Sequence, residues 1–349
     1  MSQTEIKSTN RTKRRYFLLI AVIILVAAGW SGAWLYGRSI LSGQIASQLD
    51  GMERTGLKVA CSELGIAGYP FRYEVHCDDL TSQDRLGSAG KLKGLNAVAL
   101  VYNPWHVIFE AKAPASVAIP IRGAAGNLTW DTARASIKFA SSALGAVDAV
   151  IDKPEAAFED AFSSGVFEAD KAEIHLRTAP GAPETLEGFA SVDGLKLLSL
   201  PELQAPLQMR GHVQIEGGSG MMAGMDLATL VQISEGALPV RLVLLETLVG
   251  DSRVNASGDL VVGGDGTLSG NLEISLVEAD ALLAALKPLF PPNDNSYAMI
   301  ENIVNSLKPA AVEVEGVATI TLPVALEQGS VRLGFLPLGK IPPLFQVGS

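Results

Sequence analysis

The chain is poor in side chains that carry out reactions. Its 349 residues include two cysteines and four histidines, and the histidines (His76, His106, His175 and His212) lie far apart. No HExxH pair, Cys-His cluster or CxxC spacing occurs, which argues against a zinc site or a redox dithiol. Gly217-Gly218-Ser219-Gly220 has Met221 where a nucleophile elbow needs glycine, so it reads as a flexible turn. Asn293, Asp294 and Asn295 lack the spaced carboxylates of a calcium loop. Met221, Met222 and Met225 read as fillers of apolar gaps, and the glycines at 263–266 match no phosphate-binding spacing. The expectation is a protein that is not an enzyme, with no cofactor and no metal.

Positive charge is also scarce. There are 27 Lys and Arg against 37 Asp and Glu, a net charge of −10. Residues 1–16 hold five basic residues against Glu5, a net of +4, which leaves −14 on the rest. A body of that charge repels phosphate backbones, so nucleic acid is not an expected partner. Only 6% of residues are aromatic, 48% are hydrophobic and 35 are glycines. That balance favours many short strands and turns over a few long helices.

One long apolar run is present. Phe17 to Tyr36 is 20 residues without a charge, enough at 1.5 Å per residue to cross a hydrocarbon core of about 30 Å. Arg11, Lys13, Arg14 and Arg15 precede it and by the positive-inside rule stay in the cytoplasm. Trp30, Trp34 and Tyr36 crowd its far end, where aromatic rings favour the headgroup layer and suit a signal-peptide cleavage site poorly. An uncleaved signal-anchor is therefore expected at 17–36, after a disordered basic tail at 1–16. At 37–57 the spacing of Ile40, Leu41, Ile45, Leu49 and Met52 predicts a juxtamembrane amphipathic helix, with Gly51 and Gly56 as stops.

Cys61 and Cys77 lie beyond the anchor, in a compartment where a pair of this kind forms a structural disulfide worth about 3 kcal/mol. Between them comes Gly68-Tyr69-Pro70-Phe71-Arg72, a turn leading into the alternating strand Tyr73–Cys77. An anchor with a basic tail, this Cys…Gly-Tyr-Pro-Phe-Arg…Cys arrangement, and a β-rich body ending in LGFLPLGKIPPL resemble domain-of-unknown-function family 2125. Those are membrane-anchored bacterial envelope proteins. The resemblance implies location and architecture and brings no catalytic residues.

From Leu92 onward strand patterns dominate. Every odd position from Val107 to Ile119 is apolar, Phe109 and Val117 among them. Residues 141–165 are Ala-rich and expected to be helical around Pro154, while 195–207, with Pro201 and Pro206, reads as an irregular connection dividing 58–349 into two β halves. Val254–Leu276 predicts a hairpin around Gly263–Gly266, with Leu268, Leu272, Ile274 and Leu276 on one face. Helices are expected at Asp226–Ser234, Asp280–Leu286 and Tyr297–Leu307, with Pro291-Pro292 between the last two and Asn293 or Asn295 as a cap. Strands follow at Val312–Leu322 and Val331–Phe335, and Pro337, Pro342 and Pro343 end the fold.

The fold class is thus mainly β with a few helices: a transmembrane helix followed by an antiparallel β body, a curved sheet or a sandwich, with one apolar face. That architecture is similar to the AsmA-like group, whose curved sheet is associated with lipid acyl chains. Mean hydropathy, +0.27, exceeds what one anchor on a polar domain gives. The functional expectation is an inner-membrane, periplasmic, non-enzymatic protein holding or passing lipid or another hydrophobic ligand along an apolar groove. Candidate groove residues are Val107, Phe109, Val117, Ile119, Leu268, Leu272, Ile274 and Leu276. The alternative is a module that docks an envelope protein partner, with those faces packed as an ordinary core.

Overall fold

The computed structural model describes residues 9–345 apart from 121–122, 141–142, 161–163, 201–202, 204, 291–294 and 315–316. The expected cap at Asn293 and the prolines 201, 291 and 292 fall outside the described residues. One helix, α1 (Thr9–Thr55), joins the apolar run and the juxtamembrane segment without a break, and it is long and apolar enough to cross a membrane. Residues 9–16 are its first turns, not a disordered tail, because the basic residues there continue a helix already nucleated by the apolar run. Gly51 does not stop it. Gly56 does: at φ 98° it closes the helix with Gly56 N–H donating to Glu53 and Leu57 N–H to Met52, the paired bonds of a left-handed C-terminal cap. Leu41, Ile45 and Leu49 are half-buried, whereas Ile40 and Met52 are exposed, so the apolar stripe is narrower than the spacing suggests.

Among the described residues the strands join one sheet of 21 strands, and every pair is antiparallel. The first four are short: β1 (Lys58–Cys61), β2 (Gly65–Ala67), β3 (Arg72–Cys77) and β4 (Leu80–Gln83). A long meander follows: β5 (Ala89–Leu100), β6 (Asn103–Ile119), β7 (Ala124–Thr129), β8 (Thr132–Ala140), β9 (Ala143–Asp152), β10 (Glu155–Glu159), β11 (Ser164–Glu168), β12 (Lys171–Ala179), β13 (Ala182–Leu197), β14 (Leu207–Ile215), β15 (Ala237–Val249), β16 (Ser252–Gly263) and β17 (Leu268–Val277). After two helices, β18 (Val312–Val314), β19 (Val317–Glu327), β20 (Ser330–Leu333) and β21 (Leu336–Lys340) complete it.

The hairpin around 263–266 forms as β16 and β17, with Asp265 accepting from Thr267 N–H. Further expectations fail, beginning with Val312–Leu322, which is not one strand but belongs to the antiparallel pair β18 and β19. Residues 143–159 are strands, not helices: β9 is paired along both edges, with β8 and β12, and that pairing overrides the helical preference of alanine. The stretch 195–207 does not interrupt the ladder, since β13 and β14 pair with each other on either side of it. Pro337 does not end the fold but lies in β21, opposite Arg332, a position an edge strand tolerates.

β6 and β13 are each served by two shorter strands laid end to end. β8 and β7 both pair with β6, β9 continues into β10, and β12 follows β11. The junctions Trp130-Asp131, Lys153-Pro154, Ala169-Asp170 and Asp193-Gly194 therefore line up as a crease across the sheet. Its backbone is still bonded, with Asp131 N–H donating to Asp152, Lys153 to Asp170 and Asp170 to Asp193. Gly194 has φ 64°, and a Cβ there would come within 2.1 Å of the Asp170 carboxylate. Gly194→Ala is expected to cost about 1–3 kcal/mol, read as a lower urea midpoint with unchanged slope.

The densely packed part lies at the C-terminal end. α2 (Leu227–Ile233), capped by Asp226 accepting from Thr229 N–H at 2.7 Å, sets Leu230 and Val231 on Leu238 and Val262. α3 (Ala279–Leu286) and α4 (Asn295–Leu307) cover Leu276 and Ile320, while β20 and the following chain cover Val324 and Leu326.

Candidate functional site

Strand register turns the alternation seen in the sequence into continuous rows. Directly opposed residues of antiparallel neighbours share a face. From Val75 on β3 one such row passes through Ala97, Phe109, Ala135, Ala149, Ile174, Ala190, Gly211, Leu245, Ala256, Ile274 and Leu322. It crosses a dozen strands without a polar side chain. The row beside it begins at Tyr73 and runs through Val107, Val147, Val213 and Leu272 to Val324. On the opposite face the row starting at His76 is polar except for Val150: Asn96, Glu110, Arg134, Glu173, Ser191, Arg210, Glu246, Asn255, Ser275 and Thr321.

The apolar face is covered over only part of its width. Between β15 and β19 the helices and C-terminal strands bury it. There Leu276 is enclosed, and Leu268, Leu272 and Ile274 pack against the same clusters. These four candidate groove residues belong to a closed core. From β6 to β15 the cover is partial: the helical turn Gly218–Ala223 packs on β9 and β13, where Leu186 and Met222 are buried, and α2 reaches Ile215 on β14. Ile174 is 50% exposed and Leu245 43% exposed, Met209 is exposed, and Val107 and Phe109 are half-buried. Val117 and Ile119 are separated from Val107 and Phe109 by a register shift, where Ala113 and Pro114 stand between the residues paired with Leu92 and Gly94. Their neighbours are β7 residues, Gly126 and Ala124. The eight candidates thus divide into an open pair, a covered quartet and a displaced pair.

The Gly-Tyr-Pro-Phe-Arg segment is a collar on α1. Trp30 Nε1 donates to the Pro70 carbonyl at 2.9 Å, Trp34 Nε1 donates to the Arg72 carbonyl at 3.0 Å, and the Ser31 and Tyr69 hydroxyls are 2.8 Å apart. Trp34 is 5% exposed, stacked on Tyr73 and edge-on to Tyr69, with ring centroids 5.6 and 5.5 Å away. A Cβ at Gly37 would overlap the Tyr73 hydroxyl at 2.0 Å, so glycine lets the strand approach the helix. Of the rings expected at a headgroup layer, Trp30 and Trp34 are held by the β body and Tyr36 is turned outward. The Cys61–Cys77 disulfide forms, Cα–Cα 5.7 Å, joining β1 to the end of β3 opposite the collar. At the other end of the helix Arg85 donates to the Arg54 carbonyl at 3.0 Å.

Three of the four histidines, expected as solvated strand residues, have side-chain partners on the polar face. His106 pairs with Ser136 at 2.8 Å, His175 with Asp148 at 2.9 Å and His212 with Glu187 at 2.9 Å. The last two line a hollow of about 450 Å³ with Arg177 and Lys138. Sequence reading missed it because the pairs join residues on neighbouring strands. Glu187 takes hydrogen bonds from Arg177 and then His212, which lower its pKa from 4.5 to about 2. A carboxylate with a depressed folded value stabilises the fold above its unfolded pKa and loses that contribution as pH falls from about 4.5 towards 2. Glu187→Gln is expected to cost about 1 kcal/mol at neutral pH and to flatten urea stability over that acid window. No group of three or more His, Cys, Asp or Glu that could hold a metal ion occurs among the described residues.

Two further hollows are present. One, about 470 Å³, sits on the crease among Asp131, Lys153, Glu155, Glu168, Asp170 and Lys196. The other, about 420 Å³ and apolar, lies between Trp105, Phe139, Leu144 and Met222. The sequence profile of a family described as "Uncharacterized protein conserved in bacteria (DUF2125)" matches residues 34–342, from Trp34 through the collar to the final strand. Neither a curated protein nor a solved structure matches the chain.

Proposed function

The chain belongs to the DUF2125 family of bacterial proteins, and from that footing we propose a single-pass protein of the inner membrane whose uncovered apolar face holds or passes lipid acyl chains without catalysing a reaction. The basic residues before the apolar run favour a cytoplasmic N-terminus, and the disulfide suits an oxidising periplasm. The observation that carries the lipid reading is the open stretch of apolar rows from β6 to β15. At strand spacings of about 4.8 Å and 3.4 Å per residue, these two rows and the one through Ala111, Ala133, Ile151, Ala172, Val192 and Met209 span roughly 30 by 14 Å. That is a footprint of about 400 Å², within the range of the largest apolar patch on ordinary monomers, a size that often marks a functional surface. Its short dimension matches the roughly 15 Å of one leaflet's acyl chains.

A photo-crosslinking residue placed at Ile174 or Leu245 of the full chain in cells tests this. Phospholipid adducts are expected there and not at Arg210 on the polar face. Adducts to a single protein at the same positions would instead support a docking module for an envelope partner, and the lipid reading would be abandoned.

A further inference from the structure

The apolar run of α1 is long enough for a bilayer only if all of it is used, yet its last turns are occupied by the collar. From Phe17 to Trp30 the helix rises about 20 Å, some 10 Å short of a hydrocarbon core. Trp30, Ser31 and Trp34 are the residues that Tyr69, Pro70 and Arg72 touch. For the run to span, the collar must lie at the depth of the missing 10 Å.

The collar is built for such a depth. Pro70 has no N–H, and the carbonyls of Gly68, Pro70, Phe71 and Arg72 all accept hydrogen bonds, from Arg72 N–H, Trp30, Val101 N–H and Trp34. Backbone that leaves water requires this internal pairing. The exposed rings here are aromatic, with Phe71 6.3 Å from the Trp30 ring between centroids, and Arg72 is paired with Glu74 at 3.0 Å. Phe71 is 63% exposed, and Tyr102, in the adjoining β5–β6 turn, is 76% exposed. The same turn is fixed to the collar because Val101 N–H donates to Phe71.

Orientation agrees. β5 covers the span between the two grips on α1: its Leu100 end pairs with Arg72 at the level of Trp34, and its Ala89 end pairs with Gln83, two residues before Arg85, which bonds Arg54. Tyr102 is therefore at the end of β5 that faces the apolar run.

We propose that the Tyr69–Phe71 collar and the Val101–Tyr102 turn form a rim that sinks into the interface of the phospholipid bilayer spanned by α1. This rests on the membrane-anchor part of the functional reading and is independent of whether lipid occupies the sheet. Amphipathic aromatic rings favour that layer, and a rim of this kind inserts about 5–10 Å into it.

The test uses the full chain in phospholipid vesicles. Single cysteines replace Phe71, Tyr102, Ile24 and Ser257, each the only free thiol since Cys61 and Cys77 are bonded. They carry nitroxide labels whose depth is read from relative accessibility to oxygen and a water-soluble nickel complex. Labels at 71 and 102 are expected about 5–10 Å below the phosphate plane, with 24 near the bilayer centre and 257 in water. Labels at 71 and 102 as open to nickel as 257, with 24 still in the acyl region, would overturn the rim alone. Label 24 in water would overturn the anchor and the rim together.

Discussion

Trp34→Ala is expected to release the β body from its helix while leaving the sheet folded. The side chain is almost fully enclosed, stacks on Tyr73, meets Tyr69 edge-on and donates to the Arg72 carbonyl. Truncating a tryptophan so placed costs about 3–4 kcal/mol. Because the loss falls on docking rather than on the ladder, amides of 68–73 should exchange faster by roughly a hundredfold or more, with exchange in β13–β17 unchanged. Trp34→Phe keeps the stacking and loses the indole hydrogen bond, so it should cost about 1 kcal/mol. Equal loss of protection throughout the sheet would mean that the collar nucleates the whole body instead of tethering it.

The second large effect separates the covered and uncovered parts of the apolar face. Val262 is 1% exposed beneath α2, and Val262→Asp places an unpaired carboxylate there at a cost of at least about 4 kcal/mol. Ile174→Asp puts the same group on the same face where half the side chain already meets solvent, and should cost about 1 kcal/mol or less. The readouts diverge: Val262→Asp should lower the melting temperature sharply, whereas Ile174→Asp should fold normally and lose the lipid adducts formed at Leu245. If both variants melted alike, the β6–β15 face would be packed, and no ligand would be needed to explain its composition.

What was legible beforehand follows from the range of each interaction. The hairpin at 263–266 and the Asp226 cap rest on contacts a few residues apart, and local chemistry announces them. The strand at 143–152 is made of small residues whose conformation is chosen by partners at 132–140 and 171–177, so its own composition misleads. The crease exists only in register: Lys153-Pro154 and Asp193-Gly194 look like ordinary turn pairs until the ladder sets them side by side. The collar joins Trp30 to Pro70 across 40 residues. One signal for it was present, since Trp30, Trp34 and Gly37 fall at helical spacing on one side of α1, a docking stripe inside what otherwise reads as a lipid-facing run. The groove candidates were chosen by alternation alone, which marks the apolar face but is blind to what covers it. That is why Phe109 and Ile274, in one row, ended in different surroundings.

Because α1 is grasped at two heights, near Trp34 and at Arg54, it acts as a strut and not as a tether. The two grips are about 30 Å apart along the axis, too far for the body to swivel about either one while the other holds. A protein on a flexible leash samples all orientations and meets its partners by diffusion. This one is held to its helix at two points, so its tilt relative to α1 is set when the chain folds. The open face therefore keeps one constant angle to the helix axis.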